Sequence, residues 1–215
     1  MIRKRKRKRK DDVQHLFVSR FIQTDSMTHI TTIESEKDIL STLALQQENL
    51  RENVSIEEQT SDGFVVLKHR PELLRKMNDC ARSIIAKDSN SQVIGYALTM
   101  LPRFASDIPE LAPLFFWIDQ IEYKNQPLRN YTYYILGQVC VKKSYRGQKI
   151  FQKMLDKHRQ LFSQQYELLI TLISSQNPRS LHAHANIGFQ IVHQYNDVDT
   201  DETWHIVIWQ WSGMT

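Results

Sequence analysis

Residues Tyr131 to Val141 are eleven consecutive positions rich in aromatic and β-branched side chains, and they pass through a short basic turn into a segment of helical periodicity. An apolar run this continuous predicts a strand covered on both faces, so the chain must supply a sheet with packing on each side of it. Downstream, Ile150, Phe151, Met154, Leu155, His158, Leu161 and Phe162 recur at intervals that fit 3.6 residues per turn, with Lys, Gln and Asp on the other side. Leu168 to Ile173 then reads as a short buried strand, residues 177–187 as a second helix, and Phe189 to Tyr195 and Trp204 to Trp211 as a closing strand pair.

Upstream, His29 to Ile33 alternates like a strand. Ser35, with Asp38 three positions on, opens a helix over Glu36 to Leu50 that carries Ile39, Leu40, Leu43 and Leu45. Asp62-Gly63 signals a turn and Phe64 to Leu67 a short strand. Pro71 suits a helix start, and Leu73, Leu74, Met77 and Cys80 mark one face of the helix it opens. Ser83 to Ala86 and Val93 to Leu101, separated by the polar cluster Lys87 to Ser91, predict an antiparallel pair. Leu111 to Ile121 is open between helix and buried loop.

With 215 residues, 41% hydrophobic and 24% charged, the composition is that of an ordinary globular chain and excludes collagen-like and disulfide-scaffold classes. Two cysteines, Cys80 and Cys140, offer neither a disulfide framework nor a metal-ligand spacing, so reduced thiols and a cytoplasmic location are expected. Residues 3–10 are all Lys or Arg and supply eight of the 28 basic residues; against 24 acidic ones, the rest of the chain is mildly acidic. Eight like charges in a row repel one another, which predicts a flexible basic extension over residues 1–26, with the folded domain over 27–215 and Met27 at the point where patterning begins. Nucleic-acid binding would rest on that arm alone. No secretory core follows it and no run reaches the length of a membrane span, so no membrane partner is expected.

The chemistry points to one stretch, Val139-Cys140-Val141-Lys142-Lys143-Ser144-Tyr145-Arg146-Gly147-Gln148-Lys149-Ile150-Phe151. A helix entered straight from a strand end presents unpaired backbone N–H groups with the equivalent of about half a positive charge. Four cationic side chains surround that turn, so the expected ligand is a phosphate or pyrophosphate. A solvated basic turn is the plainer alternative.

The same stretch resembles the GNAT superfamily of acetyl-coenzyme A-dependent N-acetyltransferases, whose signature is a strand, a Gln/Arg-x-x-Gly-x-Gly/Ala loop and a helix. Arg146 fills the first position, and Asn177-Pro178-Arg179 through Gly188-Phe189 resembles the family's later helix, which begins near an Asn and ends in Gly-Phe. The resemblance spans about residues 83 to 211. It implies an α/β (α+β) fold: a single GNAT-like domain with a mixed, largely antiparallel sheet flanked by helices. It also implies acetyl-coenzyme A as co-substrate with no metal. Arg146, Gly147, Gln148, Lys149, Ile150 and Phe151 would hold the pyrophosphate. Val139, Cys140 and Val141 would pair with the pantetheine arm, and one of their N–H groups would face the thioester oxygen. Asn177 would bond the cofactor arm, or cap its helix ahead of Pro178, or both.

Departures at four positions accompany the resemblance. Lys149 and Phe151 stand where the family has small residues. Lys149 meets the backbone requirement if it lies inside the first helical turn with helical dihedrals, supplying a cation; otherwise it crowds the cofactor. His184 stands where the family carries the tyrosine that protonates the departing thiolate, a task open to an imidazolium; the alternative is a histidine wedged against the sheet. His182 projects about 200° away around the helix, so the two cannot share a metal. On the long strand the inward candidate for a general base is Gln138, which cannot take up a proton at neutral pH. Asp119 and Glu122 are left as acceptor-pocket candidates or solvated charges. The aromatic cluster of Phe104, Phe115, Phe116, Trp117, Tyr123, Tyr131, Tyr133 and Tyr134 belongs to the core unless part of it lines an acceptor groove. The expected activity is transfer of an acetyl group to a small-molecule or peptide amine by direct attack in a ternary complex. The alternative is a GNAT-like protein that binds coenzyme A or another anion without turnover.

Overall fold

The computed structural model describes residues 28–198 and 200–211; the basic arm and Met27 lie outside them. Seven strands form one sheet: β1 (His29–Thr32), β2 (Ile84–Lys87), β3 (Val93–Met100), β6 (Tyr133–Val141), β7 (Leu168–Ser174), β8 (Gln190–Asp197) and β9 (Glu202–Gln210). Their order is β1-β2-β3-β6-β7-β9-β8, and β4 (Glu122–Tyr123) and β5 (Gln126–Pro127) make a separate small hairpin. Every neighbouring pair in the large sheet is antiparallel except β6 with β7. The fold is thus the expected α/β architecture with a mixed, mostly antiparallel sheet.

Helices cover both faces, as the apolar run of β6 requires. Helices α1 (Glu36–Glu48), α3 (Pro71–Cys80) and α4 (Ala112–Gln120) pack on one face. There Ile39, Leu45, Leu74, Tyr96 and Leu98 make one cluster, and Met77, Leu114, Ile118, Ile135 and Ile206 another. Helices α5 (Ile150–Phe162) and α6 (Pro178–Ile187) cover the other face, where Ile150, Met154, Leu155 and Phe162 meet Ile84, Ala97, Tyr134 and Leu169. Caps set the helix starts where side chains permit: the Ser35 hydroxyl accepts from the Asp38 N–H, and Ser55 with Glu58 forms a capping box on the seven-residue α2 (Ile56–Asp62).

The stretch left open, residues 111–121, holds helix α4, and one expectation is overturned. Phe64 to Leu67 is not a strand: Val65 makes only an isolated bridge to Leu50. Helix α2 lies in a segment where no hydrophobic period predicts an element.

The feature that positions the site is a bulge in β6. Leu98 pairs with Gln138 and Thr99 with Leu136, leaving Gly137 as the extra residue. The insertion turns the strand's phase, so that Gln138 and Cys140 face α1 while Val139 and Val141 face α5. It also coincides with the end of the β6–β7 ladder, which stops at Ile135 and Ile170; a hydrogen bond from the Thr171 hydroxyl to the Leu136 carbonyl closes the fork. Beyond that point β6 keeps β3 on one edge and, among the described residues, has no strand on the other.

Helix α5 can approach the sheet here because residue 95 has no side chain. A Cβ on Gly95 would sit 3.2 Å from the Cys140 carbonyl oxygen and 3.4 Å from both Ile150 and Met154. Gly95→Val is therefore expected to destabilise the chain by about 1–3 kcal/mol through overpacking. Urea unfolding checks this, and an unchanged midpoint contradicts it.

Candidate functional site

The gap between the free edge of β6 and helix α6 opens into a cavity of about 450 Å³. Val139, Cys140 and Val141 form one wall and the loop and helix start from Tyr145 to Gln152 another. Asn177, Ser180, Ala183 and His184 of the α6 region close the far side, and residues 62–65 cross the front.

Helix α5 meets this cavity with a bare N-terminus. Its first intrahelical bond runs from the Lys153 N–H to the Lys149 carbonyl, and no side chain caps it. The amides of Ile150, Phe151 and Gln152 therefore lack helical partners at the positive end of a 13-residue helix. Gly147 adopts φ +79, and a Cβ there would find nothing within 4 Å. The loop thus leaves open space beside the amides, which fits an anionic group laid against the backbone.

Lys149 corrects one expectation. The helix begins at Ile150, and Lys149 precedes it in the left-handed region at φ 59, ψ 18. A β-carbon in that region costs about 1 kcal/mol or more. The backbone thus keeps a shape that suits glycine, while the exposed lysine side chain adds a cation at the mouth.

The remaining predicted residues divide into those that face the cavity freely and those already engaged. The Nε of Arg146 donates to the Val141 carbonyl, and its terminal nitrogens donate to Asp62 at 2.8 Å and Asn49 at 3.3 Å. Asn177 caps α6 by accepting from the Ser180 N–H, and its Nδ2 donates to the Phe64 carbonyl. Burial pushes the Cys140 thiol up to about 12, so this side chain is not a nucleophile at neutral pH. Phe151 is turned across the groove, its ring centroid 4.9 Å from that of His184.

His184 departs from the imidazolium acid anticipated from its position. It is 2% exposed, with Phe151 on one side and Phe189, also at 4.9 Å, on another. Burial lowers its pKa to about 4. Its Nδ1 lies 2.8 Å from the Ser180 carbonyl, which assigns the proton to Nδ1. At neutral pH the ring is uncharged, and its Nε2, which has no hydrogen-bond partner among the described residues, is an acceptor. His182 is exposed, on the opposite side of the helix.

On the other side of β6, Gln138 belongs to a buried polar network. Its Oε1 accepts from the Tyr96 hydroxyl at 2.8 Å and from Gln46 Nε2 at 2.6 Å, and its own Nε2 donates to the Leu67 carbonyl. Gln46 also donates to Nδ1 of His69 and accepts from the His69 N–H. These bonds place the His69 proton on Nε2, and burial lowers its pKa to about 4. Asp119 and Glu122 are exposed and do not line the cavity; nor do the aromatic residues from Phe104 to Tyr134.

Two features were missed in the sequence. Asp62 lines the cavity and pairs with Lys143 (2.9 Å) and Arg146 (2.8 Å), with Arg179 at 3.8 Å. The hydrogen bond from Lys143, with Arg146 beside it, holds this carboxyl below its ordinary value. Arg51 makes two bonds, 2.8 and 3.1 Å, to Glu202, which is 2% exposed, and so ties the chain after α1 to the start of β9. The sequence signal for α2 was the Ser55-x-x-Glu58 box; nothing marked its far end as reaching the basic loop.

No family model and no curated protein sequence matches the chain. Solved structures do. The ribosomal-protein-S18-alanine N-acetyltransferase from Escherichia coli is 13% identical with a TM-score of 0.56, covering 88% of this chain and 97% of its own. The NatC complex bound to Gag peptide and CoA is 13% identical with a TM-score of 0.58, covering 85% and 98%. An acetyltransferase of the GNAT family from Bacillus cereus ATCC 10987 is 12% identical with a TM-score of 0.51, covering 86% and 97%. The chain therefore has the fold of the GNAT N-acetyltransferases. Among the described residues, no helix is long and apolar enough to cross a membrane.

Proposed function

We propose that the chain is a GNAT-type N-acetyltransferase that moves an acetyl group from acetyl-coenzyme A to a primary amine, by direct attack in a ternary complex. The observation that carries this reading is the fork at Gly137, which frees one edge of β6 and leads it to the uncapped amides of α5. The amides of Ile150, Phe151 and Gln152, the loop from Arg146 to Lys149 and the Arg146 guanidinium would hold the diphosphate. The edge from Val139 to Val141 would hold the pantetheine, with Asn177 at the start of α6 beside it. When bound, acetyl-coenzyme A would supply a thioester already activated for attack by nitrogen.

The chain's own contribution is position and charge. A backbone N–H on the free edge of β6, fixed by the β3 ladder, stabilises negative charge on an acyl oxygen without reorganising. His184, neutral with its proton on Nδ1, lends shape and an Nε2 acceptor rather than an acid. A leaving thiol with pKa near 8.5 departs readily as thiolate or takes a proton from water. The acceptor is read as a small-molecule or peptide amine, a class in keeping with the S18-alanine and Gag peptide of the two structural neighbours. Any nucleic-acid contact is assigned to residues 3–10.

The amide at Gln138 and the Phe151 ring across the groove favour one second reading, coenzyme binding without turnover. Thiol release from acetyl-coenzyme A, followed with a thiol reagent across a panel of primary amines and peptides, separates the two. Release that requires both protein and an amine is the expected result. Calorimetric binding without release under any amine supports the second reading, and no heat with coenzyme A overturns both.

A further inference from the structure

Arg146, one of the groups assigned above to the diphosphate, already holds an anion that belongs to the chain. Lys143 and Arg146 from the loop after β6, with Arg179 from α6, converge on the single carboxylate of Asp62. Asp62 is the last residue of α2 and lines the cavity. It also borders a second hollow of about 420 Å³, shared with Glu58, Lys143 and Arg146, so it stands as a partition between two spaces. A bound diphosphate would bring like charge against this carboxylate while competing for the same cations.

Helix α2 is built to be displaced. None of its residues is buried, and Ile56 is 78% exposed, so the helix contributes no side chain to the apolar core. Its side-chain ties are polar: Asp62 with its cations, Glu58 with Lys143 at 2.8 Å, Gln59 Nε2 donating to the Arg51 and Val54 carbonyls, and the Arg179 guanidinium on the Ser61 carbonyl. Its C-terminal side ends at Gly63, which adopts φ +76 and fits tightly against Asn177; a Cβ there would lie 2.7 Å from Asn177 Oδ1. A glycine at this junction accommodates the backbone rotation that swings the helix. Beyond it, the bond from Asn177 to the Phe64 carbonyl anchors the chain, as the Arg51–Glu202 pair does on the other side.

We propose that Asp62 is an internal competitor for the anion site, and that binding of the coenzyme diphosphate expels α2 from the front of the cavity. This rests on the acetyltransferase reading for the identity of the anion, though not for the existence of the site. It couples two events: filling the cradle also removes Asp62, the residue of α2 that lines the cavity, from its front.

The test is a gain of affinity on removing a charge. Calorimetric titration of coenzyme A and, separately, of inorganic pyrophosphate compares the wild-type chain with Asp62→Asn. The variant is expected to bind both at least tenfold more tightly, with thermal melts showing both proteins folded. Unchanged or weakened affinity in a folded variant overturns the proposal. If only pyrophosphate gains while coenzyme A binds neither protein, the competitor stands and the acetyltransferase reading falls. Equal binding of coenzyme A to both does the reverse. Should the variant not fold, the wild-type chain answers alone: a Glu-specific protease is expected to cut after Glu57 or Glu58 several-fold faster with saturating pyrophosphate. An unchanged or slower cut overturns the proposal.

Discussion

Between pH 6.5 and pH 4 the chain is expected to lose stability by up to about 4 kcal/mol per pH unit, and to unfold while many of its carboxylates are still ionised. His69, His158 and His184 are buried, and burial lowers each to about 4. In the unfolded chain each titrates near 6.5, so in this window the unfolded state binds up to three more protons than the folded one. Stability is fully present above pH 6.5 and is lost as pH falls toward the folded values. Each ring contributes at most about 3 kcal/mol, and three together rival the whole stability of a typical domain. His158 shows why the neutral form is held: its Nδ1 accepts from the Tyr134 hydroxyl and its Nε2 faces the Ala97 carbonyl, so the ring already has both partners it needs. Thermal melts from pH 7.5 to 4 measure the slope. A folded His158→Gln variant should lose about a third of it, and a flat profile down to pH 5 would refute the assignment.

Arg146→Ala is expected to weaken coenzyme A binding by about 10- to 100-fold, the range for losing a charged hydrogen bond. Lys143 remains on Asp62 in that variant, so no carboxylate is stranded, and the β3 ladder still holds β6. The two ends of one ion pair should therefore act in opposite directions on the same ligand. Loss on removing Arg146 and gain on neutralising Asp62 cannot both come from a general loss of structure. Calorimetry on the folded variant decides it; a change under threefold would mean that Arg146 only ties the end of β6 to α1 and α2.

Much of the fold was legible because its strongest signals were long and apolar. The run ending at Val141 gave β6, the 3.6-residue spacing from Ile150 gave α5, and Asn177-Pro178 gave the start of α6 within a residue. The loop could be placed for the same reason, between two elements whose ends were clear. Short, polar structure was harder to read. Helix α2 buries nothing, so it leaves no hydrophobic period, and only its capping box betrays it. In α1 the apolar count pointed to Leu40, which is exposed, whereas Thr42 and Gln46 face inward. Gln46 does so because Gln138 and His69, distant in sequence, each need a hydrogen-bond partner there, and no local pattern encodes that. Lys149 shows the same limit at the backbone: its place in the loop was clear, but nothing in the local sequence marks its left-handed conformation at φ 59.

The amide of Gln138 carries a last consequence. Saturated by Tyr96, Gln46 and Leu67, it offers an incoming ammonium no sink for its proton. On the acetyltransferase reading proposed above, an acceptor would arrive as the free base or lose its proton to water, and turnover would climb with alkalinity along the substrate's own ionisation curve. Weakly basic nucleophiles, such as the α-amino ends of peptides with pKa near 8, would outpace lysine-like ones near 10.4 at neutrality.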